Sequence, residues 1–278
     1  SGPLAANGTL RQTTGGIVVD TQATGPYAAR ASARGTVTGP DANVDFSLSM
    51  PDIGPLVDKI NGPLNLQGSA RKQGTAWAVE TDATGPAGTQ ARLAGRVNSD
   101  GTLNMDVTGN APLGLSRPFL APRDLQGQAR FDLAVNGRPA LSSVSGSIQT
   151  TNATFNAPNL RVGVQDIAAD IRLGNNRAQI DVTGQAANGG NLTVGGSVVL
   201  TGALPADLAI GLQNIVLVDP NLYRSSVSGA LRLAGPLTGG AQISGQVDVG
   251  ETEISVPSTG LTSIGDIPLI KHVGASAS

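Results

Sequence analysis

The 278-residue chain has no cysteine, a single histidine, and aromatic side chains at only 3%. Without cysteine there are no disulfides, no thiol catalysis and no cysteine zinc sites, although the compartment is left open. Any Ser-His-Asp triad would have to run through His272, and no His pair, HExxH or D-x-D-x-D-G calcium loop is present. The expectation is a protein that is not an enzyme and that needs no metal and no cofactor. Charged residues make up 14%, the net charge is −2, and there is no basic run, which argues against nucleic acid as a partner. No stretch approaches the roughly 20 apolar residues of a membrane helix. No signal peptide is legible, and the chain reads as a fragment. Scarce aromatics also deprive a closed core of its usual bulk.

What the chain has in abundance is alternation. Ala178, Ile180, Val182, Gly184 and Ala186 are interleaved with Gln179, Asp181, Thr183 and Gln185. The same pattern returns at Leu231, Leu233, Gly235 and Leu237, and again at Ala241, Ile243, Gly245, Val247 and Val249. Strict alternation marks strands with one face out of water. Glycine, at 38 residues, is nearly twice its average usage. Gly-Pro steps at 25–26, 39–40, 54–55, 62–63, 85–86 and 235–236, and Asn-Gly steps at 7–8, 61–62, 136–137 and 188–189, read as turns. This punctuation predicts about eighteen to twenty strands, an array on the order of 90 Å long when stacked at about 4.8 Å. Pro51 to Ile60 reads as a short helix, Asp219 to Tyr223 as a helical turn capped by Asp219, and Leu115 to Leu125 as a connector.

The chain repeats itself. Residues 1–37 align without a gap on 61–97, with fourteen identities that include Gly2-Pro3-Leu4 on Gly62-Pro63-Leu64 and Ala23-Thr24-Gly25-Pro26 on Ala83-Thr84-Gly85-Pro86. The offset of sixty is even, so each side chain keeps its face. Residues 1–123 therefore read as repeated β units of about 60 residues, 124–258 as a second β region, and 259–278, where alternation stops, as a frayed tail.

One uncharged face can be followed through most of the chain. Its candidate lining residues are Val97, Leu103, Met105, Val107, Phe131, Leu133, Val135, Ile148, Ile171, Leu173, Ile180, Val182, Leu192, Val194, Val198, Leu231, Leu233, Ile243 and Val247. Two such faces could close on each other as a sandwich or solenoid core. Alternatively, the sheet could fold into an open trough. Inward glycines (Gly95, Gly146, Gly184, Gly196, Gly229, Gly235, Gly245), where a packed core prefers volume, and the missing aromatics favour the trough.

Residues 219–257 carry a more specific pattern. Asp219-Pro220-Asn221-Leu222-Tyr223-Arg224 leads to Val227-Ser228-Gly229, Leu231-Arg232-Leu233 and Gly235-Pro236-Leu237, followed by Ile243-Ser244-Gly245 and Glu251-Thr252-Glu253-Ile254-Ser255-Val256-Pro257. Ile270-Lys271-His272-Val273 follows further on. Over 124–273 the chain resembles the C-terminal region of the TamB family, translocation and assembly module subunits of the bridge-like lipid transfer group, in its alphaproteobacterial form. The resemblance implies an all-β, elongated, taco-like folded sheet with few short helices around a hydrophobic groove. It implies a periplasmic location, as part of an inner-membrane-anchored protein of a Gram-negative bacterium. It also implies phospholipid as cargo, outer-membrane protein clients, and a TamA-like outer-membrane barrel as partner of the full-length protein.

Overall fold

The computed structural model describes residues 4–219 and 221–255. These form one antiparallel sheet of seventeen strands: β1 (Ala5–Thr13), β2 (Gly16–Thr24), β3 (Arg30–Thr36), β4 (Asn43–Met50), β5 (Leu64–Gln73), β6 (Ala76–Thr84), β7 (Gln90–Val97), β8 (Leu103–Pro112), β9 (Asp124–Gln126), β10 (Gln128–Gly137), β11 (Val144–Ala157), β12 (Val162–Gly174), β13 (Arg177–Ala186), β14 (Asn191–Val199), β15 (Pro205–Asp219), β16 (Tyr223–Pro236) and β17 (Gln242–Ile254). One helical turn, α1 (Arg117–Leu120), interrupts them. Each strand pairs with its successor, except that β8 pairs directly with β10. β9 takes no ladder position of its own: it pairs with the far end of β11 and is separated from β10 by Gly127. The sheet therefore has sixteen ladder positions, about 70 Å at roughly 4.8 Å per step. The seventeen strands are one to three fewer than alternation predicts, and the array is correspondingly shorter.

The local reasons are visible in the turns. Between β12 and β13, Asn175 and Asn176 both have positive φ, 51° and 60°, which a two-residue primed turn requires and which asparagine tolerates. The repeat of the sequence is a repeat of structure. β1, β2 and β3 correspond to β5, β6 and β7, and Gly25-Pro26 and Gly85-Pro86 begin equivalent tight turns.

Three sequence expectations are corrected. Residues 51–60 form a series of turns rather than a helix: Leu56 and Val57 both donate to the Ile53 carbonyl, but Pro55 cannot donate and the helix does not propagate. Asn7-Gly8 lies inside β1 and is not a turn, whereas Gly235-Pro236 ends β16 and opens the turn after it, the Pro236 carbonyl accepting from Gly239 N–H at 3.2 Å. Gly8 is needed because a Cβ there would sit 2.8 Å from the Thr21 Cα of the neighbouring strand. At 219–223 the chain makes a tight turn between strands: Leu222 N–H donates to the Asp219 carbonyl (3.1 Å) and Asn221 N–H to Asp219 Oδ1 (3.1 Å). Asp219 thus caps as expected, but it caps a turn. Residues 259–278, His272 included, lie outside the described residues, as does Pro220.

Candidate functional site

Residues directly opposite in an antiparallel pair share a face. The observed registers therefore convert the alternation of single strands into rows that cross the sheet. One row runs through all sixteen ladder positions: Ala6, Ala23, Ala31, Leu48, Leu66, Ala83, Ala91, Gly109, Phe131, Ile148, Ile171, Ile180, Gly196, Leu208, Leu233, Ile243. It contains no polar side chain. A parallel row of Val19, Gly35, Val44, Ala70, Val79, Gly95, Met105, Val135 and Val144 flanks it over the first half. Over the second half the flanking row is Ala169, Val182, Val194, Ile210, Leu231 and Gly245.

The opposite face is polar by the same registers. Gln22, Ser32, Ser47, Gln67, Asp82, Arg92, Thr108, Asp132, Ser147, Arg172, Gln179, Ser197 and Asp207 lie in one row. Charges there are paired across strands: Arg34 with Asp20 at 2.9 Å, and Arg232 with Asp207 through two bonds of 2.7 and 2.6 Å. The Arg232 bonds hold the Asp207 carboxyl below the usual carboxylate range and raise the guanidinium in turn. Two of these outward carboxylates, Asp170 and Asp181, share Arg172.

The apolar face is not closed off. Among the described residues no large side chain is fully buried, and most of the row residues are half-buried. A closed sandwich of this many strands would bury large aliphatic side chains completely between its sheets.

The second half of the sheet has a corner. β-Bulges fall between Thr150 and Ala153 in β11, Gln165 and Ala168 in β12, Leu212 and Ile215 in β15, and Val249 and Thr252 in β17. Asn152, Asp166 and Asn214 take positive φ there. A bulge bends its strand. The strand ends beyond these positions make a second wall, tied across the β13–β14 turn by Ala187 N–H to the Gly163 carbonyl and Val216 N–H to the Gly189 carbonyl, both 2.9 Å. In the corner Ala153, Val164 and Ile167 are buried against Leu113, Leu125, Phe155, Val182 and Leu192. Beside them lies a cavity of about 310 Å³ with a nearly all-apolar lining.

Of the residues singled out from sequence, Ile148, Ile171, Val182 and Leu192 line this cavity. Met105 and Val198 are buried elsewhere on the face. Val97, Leu103, Val107, Phe131, Leu133, Val135, Leu173, Ile180, Val194, Leu231 and Leu233 are half-buried along it. Ile243 and Val247 share the face by register but lie on the outermost strand, β17, and are 65% and 45% exposed. Leu113, Leu125, Ala153, Phe155 and Val164 are missed by alternation. The signal for three of them is the phase slip across Asn152 and Asp166, after which the apolar residues continue on the other parity.

Residues 177–267 match the family model described as the TamB C-terminal domain. No curated protein and no solved structure matches the chain. The matched span lies inside 124–273, the stretch that carries the quoted motifs, and takes in β13 to β17 with their share of the apolar row. Over residues 177–267 the chain is thus similar to the TamB C-terminal domain family.

Proposed function

We propose that the chain is a segment of a periplasmic conduit that shields phospholipid acyl chains between the inner and outer membranes. Acyl chains lie along the apolar row while head groups remain in water at the open side. The observation that carries this reading is the row itself: sixteen consecutive ladder positions without a polar side chain, on a face that stays half-exposed. Each methylene withdrawn from water stabilises the bound tail by about 0.8 kcal/mol. Because the wall is uniformly aliphatic, successive positions along it are nearly equivalent, and a tail moves without leaving one deep site. The segment acts without catalysis, within an inner-membrane-anchored envelope protein of a Gram-negative bacterium. That protein supports outer-membrane protein assembly with a TamA-like barrel partner.

A second reading is favoured by one observation. β17 has no partner strand on its outer side among the described residues, and it exposes Ile243, Val249 and Ile254. Such an edge can template a strand of an outer-membrane protein client.

The test of the conduit is a charge placed mid-row, Leu133→Arg or Ile148→Arg, in the full-length protein. The expected outcome is loss of outer-membrane integrity, scored by detergent sensitivity, with protein level unchanged. Normal integrity with both stably produced variants would contradict the reading.

A further inference from the structure

We infer that the cavity at the bulged corner is a discrete site for one hydrocarbon tail, a resting place on an otherwise uniform wall. The inference deepens the conduit reading and rests on it. The cavity is formed by three elements: Ile148, Ile171 and Val182 on the main wall, Phe155 on the second wall, and Leu113 and Leu125 on the insert between β8 and β10. Its volume, about 310 Å³, lies at the small end of ligand pockets, which suits one tail rather than two.

The chemistry of the lining selects the occupant. Among the described residues, Thr150 and Gln149 are the only polar ones that border the cavity. The Thr150 hydroxyl is engaged, donating to the Gln128 carbonyl at 2.7 Å. Gln149 stands opposite Arg130 and Asp170, in the polar register, so its amide belongs to the outer face. A head group in the cavity would therefore bury polar atoms without partners. A peptide strand finds little to pair with: β10, β11, β12 and β13 have partners on both sides, and among the described residues only the bulge positions and the outer edge of the three-residue β9 lack ladder partners there. A hydrocarbon chain has no such need. Ile148 and Ile171 belong to the sixteen-position row, so a tail on the row reaches the cavity without crossing polar surface.

The insert is held where it can close over a tail. Leu113 N–H donates to the Gly127 carbonyl at 2.9 Å, and the Lys59 ammonium lies 5.6 Å from the Phe119 ring centre. At Gly127, with φ of +130°, an added Cβ would lie 3.0 Å from the Ala153 Cβ, so the insert sits directly against the second wall.

The experiment is photolysis of the purified chain with dodecanoic acid carrying a terminal diazirine, followed by peptide mass spectrometry. Adducts are expected to concentrate at the corner, on Leu113, Leu125 and Phe155. The cavity-filling variants Ala169→Phe and Val182→Phe, each checked for a cooperative melt, should cut corner adducts at least fivefold and leave those at Leu48 and Leu66 unchanged. Wild-type adducts spread evenly along the row, or corner adducts that survive both filled cavities, would overturn the single-tail site and leave the conduit standing. Absence of adducts from the whole row would overturn the conduit as well. The wild-type distribution decides even if a filled variant fails to fold.

Discussion

At the scale of single residues, the inward glycines have a more specific cause than room for cargo. Gly146 has φ of +119°, and a Cβ there would run into the Asp132 carbonyl and lie 2.8 Å from the Leu133 Cα of β10. Gly196, at +144°, faces Leu208 of β15 in the same way. These positions let neighbouring backbones approach, and they leave the row low and smooth as a consequence. Gly146→Val is expected to lower stability by about 1–3 kcal/mol from backbone strain alone, measured by urea unfolding. Asp219, buried at the end of β15, accepts from Arg161 across the β11–β12 turn and from its own turn backbone. Asp219→Ala should cost about 1–3 kcal/mol, read as a lower urea midpoint, because it leaves turn donors unpaired. The exposed carboxylates respond to acid. Asp52 is lowered by the Gly62 and Gly54 N–H groups, Asp100 by the Thr102 hydroxyl and N–H, and Asp207 by Arg232. A folded-state value below the unfolded one stabilises the fold while the group is ionised. That contribution is complete above the ordinary carboxylate value of about 3.9 and is lost as pH falls through the folded value. Melting temperature should therefore fall on the acid side of about pH 4, and an Asp52→Asn/Asp207→Asn double variant should show a shallower acid limb. An unchanged limb would refute this assignment.

At the scale of elements, alternation and turn residues are enough to read the strands and their faces, since period two and asparagine or glycine punctuation are local properties. Ala178 to Ala186 is such a strand, now β13. The second wall is harder to read because a bulge is one extra residue: Asn152 and Asp166 look like ordinary polar positions until the parity change after them is noticed. The insert is harder still. Pro118 and Pro122 mark a connector, but that Leu113 and Leu125 fold onto the cluster of Ala153, Val164 and Ile167 depends on contacts distant in sequence. Edges are likewise invisible to alternation. Ile243 and Val247 carry the pattern of the row and yet lie on the outermost strand. A strand with no outer partner among the described residues and with exposed Val249 and Ile254 invites edge-to-edge association. Val249→Lys should reduce concentration-dependent self-association in sedimentation velocity while leaving the melting temperature within error. Equal association of both proteins would show that this edge is not the contact.

At the scale of the whole molecule, no large side chain among the described residues is fully buried, which fits a single curved sheet that keeps much of its apolar face accessible. Its stability comes from continuous antiparallel ladders and cross-strand aliphatic pairs more than from a sealed core. The same arrangement explains the composition. Aromatics would roughen the row, charges would interrupt it, and both are scarce where the registers converge. The most direct test of the account is native mass spectrometry of the gently purified chain, followed by lipid extraction. The account predicts masses increased by bound phospholipid, reduced in Leu133→Arg and Ile148→Arg. Lipid-free protein that instead captures unfolded β-barrel peptides would contradict it.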